Sequence, residues 1–174
     1  MAPFPFRGRS VPVDGRRDPN PTLPVDPDTA PRTPGPLHVR PAAIAAVGGG
    51  GLLGAPLRYQ LGVWFPQAAG GWPVTTFVIN VAGAFLLGLV LEALTRLGPD
   101  TAWRQRVRLG VGTGVLGSFT TYSTLAVDAD LLLRGHQWWA AGSYAAGTVL
   151  AGMVATIAGI AVGEQVRSRR EEQR

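Results

Sequence analysis

The feature that most constrains the fold of this chain is a series of four apolar stretches, each close to the length that crosses a lipid bilayer. They cover approximately residues 41–63, 73–91, 109–127 and 137–163, and the second and fourth contain no charged side chain. A transmembrane helix needs about 20 mostly apolar residues. Since lipid offers no partner for backbone polar groups, stretches of this length must form helices. The sequence therefore predicts an all-α integral membrane protein with four transmembrane helices, occupying residues 41–165.

The tryptophans support these boundaries. All five lie near the predicted ends of the apolar stretches, at Trp64, Trp72, Trp103, Trp138 and Trp139. Indole rings are enriched at membrane–water interfaces, where they act as anchors.

Charge and proline are concentrated outside the apolar stretches. Residues 1–40 are rich in Pro and Arg and lack both a core-forming apolar run and the h-region of a secretory signal, so they are predicted to be a disordered N-terminal tail. Residues 166–174 are predicted to be a charged C-terminal tail. The net charge is +5, but the arginines do not form a basic face interleaved with aromatic residues, which is typical of nucleic-acid binders. Membrane lipid is the expected partner instead. The chain has no cysteine, which excludes disulfides and thiolate metal sites.

The arginines also predict an orientation. Most of the arginines outside the N-terminal tail lie in the loop after the second apolar stretch and in the C-terminal tail. They are Arg96, Arg104, Arg106, Arg108, Arg167, Arg169, Arg170 and Arg174. The opposite side has only Arg58 and Arg134. Because cytoplasmic loops carry the excess of positive charge, both termini are predicted to be cytoplasmic, in a multi-pass protein of the cell membrane with one fixed orientation.

A run of small and hydroxyl-bearing residues, GSFTTYST at 117–124, lies inside the third apolar stretch. At bilayer depth, non-helical backbone or a line of hydroxyls is tolerated only inside protein or beside a cavity. The run therefore predicts a break in the third helix and a polar path through the membrane.

Two further groups of polar residues allow two interpretations each. Tyr144, Thr148 and Thr156 follow a four-residue spacing on the fourth helix, with Gly152 in the intermediate place. Threonine hydroxyls at such positions either bond back to the carbonyl one turn earlier or line a pathway. Asn80, the one strongly polar residue of the second stretch, either joins two helices or points into a pore.

Small residues predict close helix packing on the first and fourth helices. They recur at Gly48, Gly51 and Gly54, and at Gly147, Ala151, Ala155, Gly159 and Gly163. Small residues on one helix face let membrane helices approach closely. The match of residues 49–54 to a dinucleotide-binding fingerprint is rejected, because no βαβ unit or suitably placed acid accompanies it.

The ionisable residues do not indicate an enzyme or a metal site. Asp128 and Asp130 lie near the end of the third stretch, before Arg134, and a solvated interfacial role is expected for both. His38 and His136 have no ligand partner at suitable spacing. No catalytic constellation lies in the apolar stretches, so the protein is not expected to be an enzyme.

Three segments together resemble a known family. GLLGAPLRY at 51–59, TFVINVAG at 76–83 and the run at 117–124 resemble the CrcB/Fluc fluoride channels, and the resemblance covers nearly all of residues 41–165. It implies an antiparallel dimer of four-helix subunits with two fluoride pores. It also implies that the broken third helices cross at the dimer centre and hold a structural, untransported sodium ion (Na+) through the backbone carbonyls of Gly117 and Thr120.

Fluoride is small and strongly hydrated, and it leaves water only for a dense set of hydrogen-bond donors. Arg58 is expected near an entrance, and the donors further in are expected to be Asn80, Ser123, Tyr144, Thr148 and Thr156. The family usually has two phenylalanines in the third helix, and Tyr122 and Leu125 stand at those positions here. Tyrosine keeps the electropositive ring edge, whereas leucine has none. One of the two pores is therefore in doubt.

The expected function is a fluoride-selective channel subunit that lets fluoride leave the cytoplasm down its gradient and so reduces fluoride toxicity. The partner is a second copy or, given the one-sided arginines, a related chain of opposite orientation. Two alternatives remain at this point. A small multidrug exporter needs a carboxylate in the first helix, which residues 41–63 lack. A transport-silent structural relative is the other, and Leu125 is the best argument for it.

Overall fold

The computed structural model describes residues 40–68, 70–97 and 102–171, which all belong to one compact unit. The predicted N-terminal tail, apart from Arg40, lies outside the described residues. The described part contains these helices: α1 (Pro41–Trp64), α2 (Val74–Arg96), α3 (Ala102–Val107), a π-helical segment (Arg108–Leu116), α4 (Gly117–Phe119), α5 (Tyr122–Arg134) and α6 (Trp138–Glu171). Strands are absent from these residues, so the prediction of an all-α protein is confirmed for them.

Two of the helices are long and apolar enough to cross a membrane by length and composition. They are Val74–Arg96 and the part of α6 from Trp138 to Gln165. The first predicted stretch forms a helix of 24 residues, but glycines, Pro56 and Arg58 make it less apolar. The third is divided among several short helices. Four membrane crossings therefore stay a prediction, and so does the dimer.

The bundle is held together by close approach of helix backbones. α2 packs mainly along α6, where a Cβ on Gly88 would lie 2.5 Å from the carbonyl oxygen of Thr156. A Cβ on Gly159 would overlap the carbonyl of Phe85. Only glycine permits this packing at either position, and small residues are typical of membrane helix interfaces.

α1 packs mainly against the π-helical segment, but in a different register from the predicted one. Gly50 and Gly54 face the segment, where added Cβ atoms would overlap the carbonyls of Gly110 and Val115. Gly48 and Gly51 have nothing within 4 Å of an added Cβ. Close packing of α1 is thus confirmed, whereas the three-residue spacing was wrong, because the packed positions lie four residues apart, slightly more than one turn.

The third apolar stretch breaks inside the run at 117–124, as its composition predicted. α4 ends at Phe119, and the next two residues are extended, with φ −73° and ψ 158° at Thr120 and φ −148° and ψ 118° at Thr121. α5 then begins at Tyr122. π-Helical turns are rare and often occur at functional sites, and here one leads directly into the break.

Candidate functional site

The break is held by the side chain of Asn80. Its Nδ2 donates to the carbonyl oxygen of Thr121 at 3.0 Å, and the backbone N–H of Thr121 donates to its Oδ1 at 2.8 Å. The two bonds reach both backbone polar groups of an extended residue, and the N–H of Thr121 has its partner here instead of in a helix. Asn80 therefore joins α2 to the break, which is the first of its two predicted roles. A primary amide has two N–H donors, and this clasp uses one of them.

Hydroxyl groups surround the clasp. Thr121 is the N-cap of α5, and its Oγ1 accepts from the backbone N–H of Thr124 at 3.0 Å and donates to the Thr124 hydroxyl at 2.9 Å. The Ser123 hydroxyl lies 3.2 Å from the same oxygen, on an exposed side chain. The break thus carries a connected group of three hydroxyls at the N-terminus of a helix, where the dipole favours negative charge.

Gly117 and Thr120, the residues expected to offer carbonyls to sodium, both lie at this break. The N–H group that would normally close a helical bond to the Gly117 carbonyl belongs to Thr121, and it donates to Asn80 instead. Extended backbone at Thr120 turns its carbonyl out of the helical ladder. Gly117 is exposed and Thr120 half-buried. Backbone carbonyls suit a hard cation that prefers oxygen ligands, so the two residues fit such an ion.

An open cleft of about 670 Å³ lies beside the break. It is lined by residues of α1, the α1–α2 connection, α2 and α5, including Arg58, Tyr59, Gln67, Thr75, Thr76, Thr121, Thr124 and Asp128. Of the predicted anion-path residues, only Arg58 lines it. The cleft therefore joins one guanidinium group to several hydroxyls and one carboxylate.

That carboxylate belongs to a hydrogen-bonded cluster that the sequence interpretation missed. Asp128 Oδ2 accepts from the hydroxyls of Thr76, at 2.9 Å, and Tyr144, at 3.1 Å. Gln67 Nε2 donates to Thr76 Oγ1 at 3.0 Å and lies 3.5 Å from Asp128 Oδ2. A solvated interfacial role for Asp128 was therefore wrong, because its side chain turns inward onto α2 and α6. The signal was available, since Thr121, Thr124 and Asp128 share one helical face by their spacing.

Asp130 does take the solvated role that was expected. It pairs with Arg134 at 2.7 Å, and both side chains are exposed. The hydrogen bond from Arg134 to this carboxylate raises the pKa of the guanidinium. This pair contributes little to stability, since exposed ion pairs rarely do.

The two threonine hydroxyls of the α6 series bond back to their own helix. Thr148 donates to the carbonyl of Tyr144 at 2.6 Å, and Thr156 donates to that of Gly152 at 2.9 Å. The first of the two sequence interpretations is therefore the arrangement found in this structure. Tyr144 reaches the cleft wall through Asp128, whereas Thr148 and Thr156 pack away from the cleft, between α6 and its neighbours.

The two residues at the family's phenylalanine positions separate in space. Tyr122 is 83% exposed at the first turn of α5. Leu125 is half-buried and packs against the cluster of Leu132, Ala141 and Tyr144. Neither lines the cleft, so the single chain presents one ring outward and uses the other position for its core.

Comparison with known proteins decides the family. Residues 45–160 match the model of the family described as CrcB-like protein, Camphor Resistance (CrcB). The chain belongs to this family. The matched range contains every predicted site residue, from Arg58 to Thr156. Membership in the CrcB family and the two membrane-length helices together support a membrane location.

Relatives within the CrcB family carry names that state an activity. A Streptomyces avermitilis protein named Fluoride-specific ion channel FluC 3 is 45% identical over 134 residues, which are 76% of this chain and 64% of that protein. FluC 2 of Leifsonia xyli subsp. xyli is 46% identical over 135 residues, covering 78% of this chain and 92% of the relative. FluC 1 of Cutibacterium acnes is 43% identical over 123 residues, or 68% and 86%. The similarity to each of these three proteins covers two thirds or more of this chain.

Proposed function

We propose that the chain is a subunit of a fluoride-selective channel that lets fluoride leave the cytoplasm down its gradient and so lowers fluoride toxicity. The observation that carries the proposal is the broken helix clasped by Asn80, with a group of hydroxyls at the break, in a chain of the CrcB family. The choice of fluoride as the transported ion rests on the similarity to relatives named as fluoride-specific channels.

The geometry suggests how such an anion would be drawn in. Arg58 is the one cationic side chain that lines the cleft within the part of the chain that the structure describes, and it would attract anions at the entrance. The ion would then exchange water for hydroxyls near Thr121 and Thr124 and for the second N–H of Asn80. Conduction requires binding that is favourable enough for entry and weak enough for release.

Asp128 opposes tight binding at the same place. Its carboxylate already accepts the hydroxyl donors of Thr76 and Tyr144. An arriving anion would compete with a fixed negative charge for these donors, and like charges at close range repel. We therefore propose that Tyr144 contacts the ion only transiently. The hydroxyls of Ser123, Thr148 and Thr156 would contact it only after their present hydrogen bonds open.

Tyr122 would contribute through its ring edge, which is the positive part of the aromatic quadrupole. Its exposure in the single chain suits a pore completed by a second subunit. Leu125 has no such edge and packs into the core. We propose that this chain forms one competent pore lining rather than two.

The assembly we propose is an antiparallel dimer whose crossing breaks hold a structural Na+ through the carbonyls of Gly117 and Thr120. The one-sided arginines argue against insertion of the same chain in both orientations. The partner we propose is therefore a related chain of opposite charge bias. The transport-silent alternative keeps one supporting observation, namely that Leu125 and the back-bonded threonines offer no donor to an anion.

A growth assay tests the proposal in cells. The chain would be expressed in a bacterial strain that lacks its own fluoride exporter, alone and together with a related chain of opposite charge bias. We expect growth on fluoride to be restored by the pair and not by the chain alone. Failure of every pairing, with the protein present in the membrane, would favour the transport-silent relative.

A further inference from the structure

Tyr144, the first residue of the α6 hydroxyl series, is completely buried although it lies near the N-terminal end of its helix. Its side chain is 0% exposed. On the same part of α6, Trp139 is 92% exposed and Ser143 is also exposed. The burial of Tyr144 must therefore come from other elements.

One cover is Trp72, in the connection between α1 and α2. Its ring meets the Tyr144 ring edge-on, with centroids 5.4 Å apart and planes at 82°. It also meets the Phe77 ring at 5.1 Å and 61°. The indole N–H donates to Ser143 Oγ at 3.3 Å. Trp72 thus lies between the starts of α2 and α6, and the hydrogen bond to Ser143 ties its indole to α6.

The backbone around Trp72 is shaped to hold it there. Gly70 has a φ of +70°, a conformation that residues with a Cβ rarely adopt. The N–H of Gly71 donates to the Ala68 carbonyl at 2.9 Å, and that of Val74 donates to the Trp72 carbonyl at 2.8 Å. Pro73, which is buried, follows directly and restricts φ. The position of the indole is therefore fixed by the turn as well as by its ring contacts.

The other side of Tyr144 faces the cleft. Its hydroxyl donates to Asp128 Oδ2, which belongs to the cleft wall together with Thr76. The ring is closed by Trp72 on one side, and the hydroxyl connects to the cleft on the other. Trp72 is 36% exposed, against 92% for Trp139, so its contacts cover much more of its side chain.

We propose that Trp72 closes the end of the α6 hydroxyl series that lies away from the arginine-rich loop. At this end of the series an anion at Tyr144 can then leave only past Asp128 and Thr76 into the cleft, and Trp72 limits the rate of passage. This inference rests on the proposed function for its consequence in transport, whereas the closure itself can be tested without fluoride.

The chain has no native cysteine, so a single introduced thiol can report access. Thr148→Cys places this thiol one turn beyond Tyr144, at a position that is 5% exposed. Its reaction with a small charged methanethiosulfonate would be followed in detergent-solubilised protein. We expect slow labelling with Trp72 present, labelling at least several-fold faster with Trp72→Ala, and slow labelling again with Trp72→Phe. Trp139→Ala is the matched control and is expected to leave the rate unchanged.

Fluoride efflux from liposomes provides the second readout. With the partner chain that supports conduction, Trp72→Ala is expected to raise efflux several-fold, and Trp139→Ala to leave it unchanged. If Trp72→Ala does not give a monodisperse protein, Trp72→Leu removes the ring edge while keeping an apolar side chain and serves the same test.

The outcomes separate the closure from its role in transport. Equal labelling rates with and without the Trp72 ring would overturn the closure, as would an equal acceleration by Trp139→Ala. Accelerated labelling with unchanged efflux would overturn the rate-limiting role. Accelerated labelling in a protein that shows no fluoride efflux with any partner would uphold the closure and overturn the proposed function.

Discussion

At the scale of single residues, Asn80 matters most, because it satisfies both backbone groups of Thr121 at the helix break. The sequence singled out Asn80 as the lone polar residue of its stretch, but it left open whether the amide joined helices or faced a pore. The answer depends on which residue lies opposite, and only the packing of α2 against the break provides that.

Asn80→Ala should destabilise the protein and abolish conduction. The variant leaves the N–H of Thr121 without its partner and removes one donor from the Thr121 carbonyl, and an unsatisfied buried group costs about 1–3 kcal/mol. Unfolding in detergent would measure the loss. Thr95→Ala removes only a local bond to the Glu92 carbonyl on an exposed side chain and is the control. An Asn80→Ala protein as stable as the control would show that the clasp is not structural.

Gly152→Ser should be tolerated and should raise fluoride flux. An added Cβ would lie 3.9 Å from the Ala84 Cβ, which is ordinary contact, and the hydroxyl would complete the four-residue series on α6. We expect a stability change within about 0.5 kcal/mol. Gly159→Ser is the contrasting variant, because its Cβ would overlap the Phe85 carbonyl, and overpacking costs about 1–3 kcal/mol or more. Thermal unfolding would compare them, and equal destabilisation would contradict the packing described here.

At the scale of elements, the break between α4 and α5 was predictable, because lipid leaves a run of hydroxyls and glycine at bilayer depth few stable arrangements besides a broken helix inside protein. The position of Asp128 was not predicted, because its distance from the end of the apolar stretch suggested water, whereas the rotation of α5 turns it inward toward Tyr144. The packed register of α1 was also missed. Composition identifies a helix rich in glycine, but the partner helix decides which glycines it contacts.

Thr121 should be necessary for the start of α5. Its hydroxyl accepts from the Thr124 N–H, and loss of an N-cap of this type costs about 0.5–2 kcal/mol. Thr121→Val removes the acceptor at nearly constant volume, and Thr121→Ser keeps it. We expect the valine variant to unfold earlier than the wild type and the serine variant to lie close to the wild type in the same denaturant titration. The reverse order would contradict the capping role.

At the scale of the whole molecule, the arginine distribution predicts one orientation. Exchanging Arg104, Arg106 and Arg108 for serine should give a mixed population, because the positive residues near helix ends set topology. Accessibility of a cysteine introduced at an end of the chain, probed with an impermeant thiol reagent in intact cells, would measure it. A native chain already found in both orientations would contradict the prediction and remove the reason for a second, related chain.

The measurement that tests the proposed channel most directly is fluoride efflux from liposomes that contain the purified chain, followed with a fluoride electrode. The chain would be measured alone and together with a related chain of opposite charge bias, and chloride efflux would be the control. We predict selective fluoride efflux from the pair and little from the chain alone. Vigorous fluoride efflux from the chain alone would contradict the paired assembly, and no efflux with any partner would contradict the channel itself.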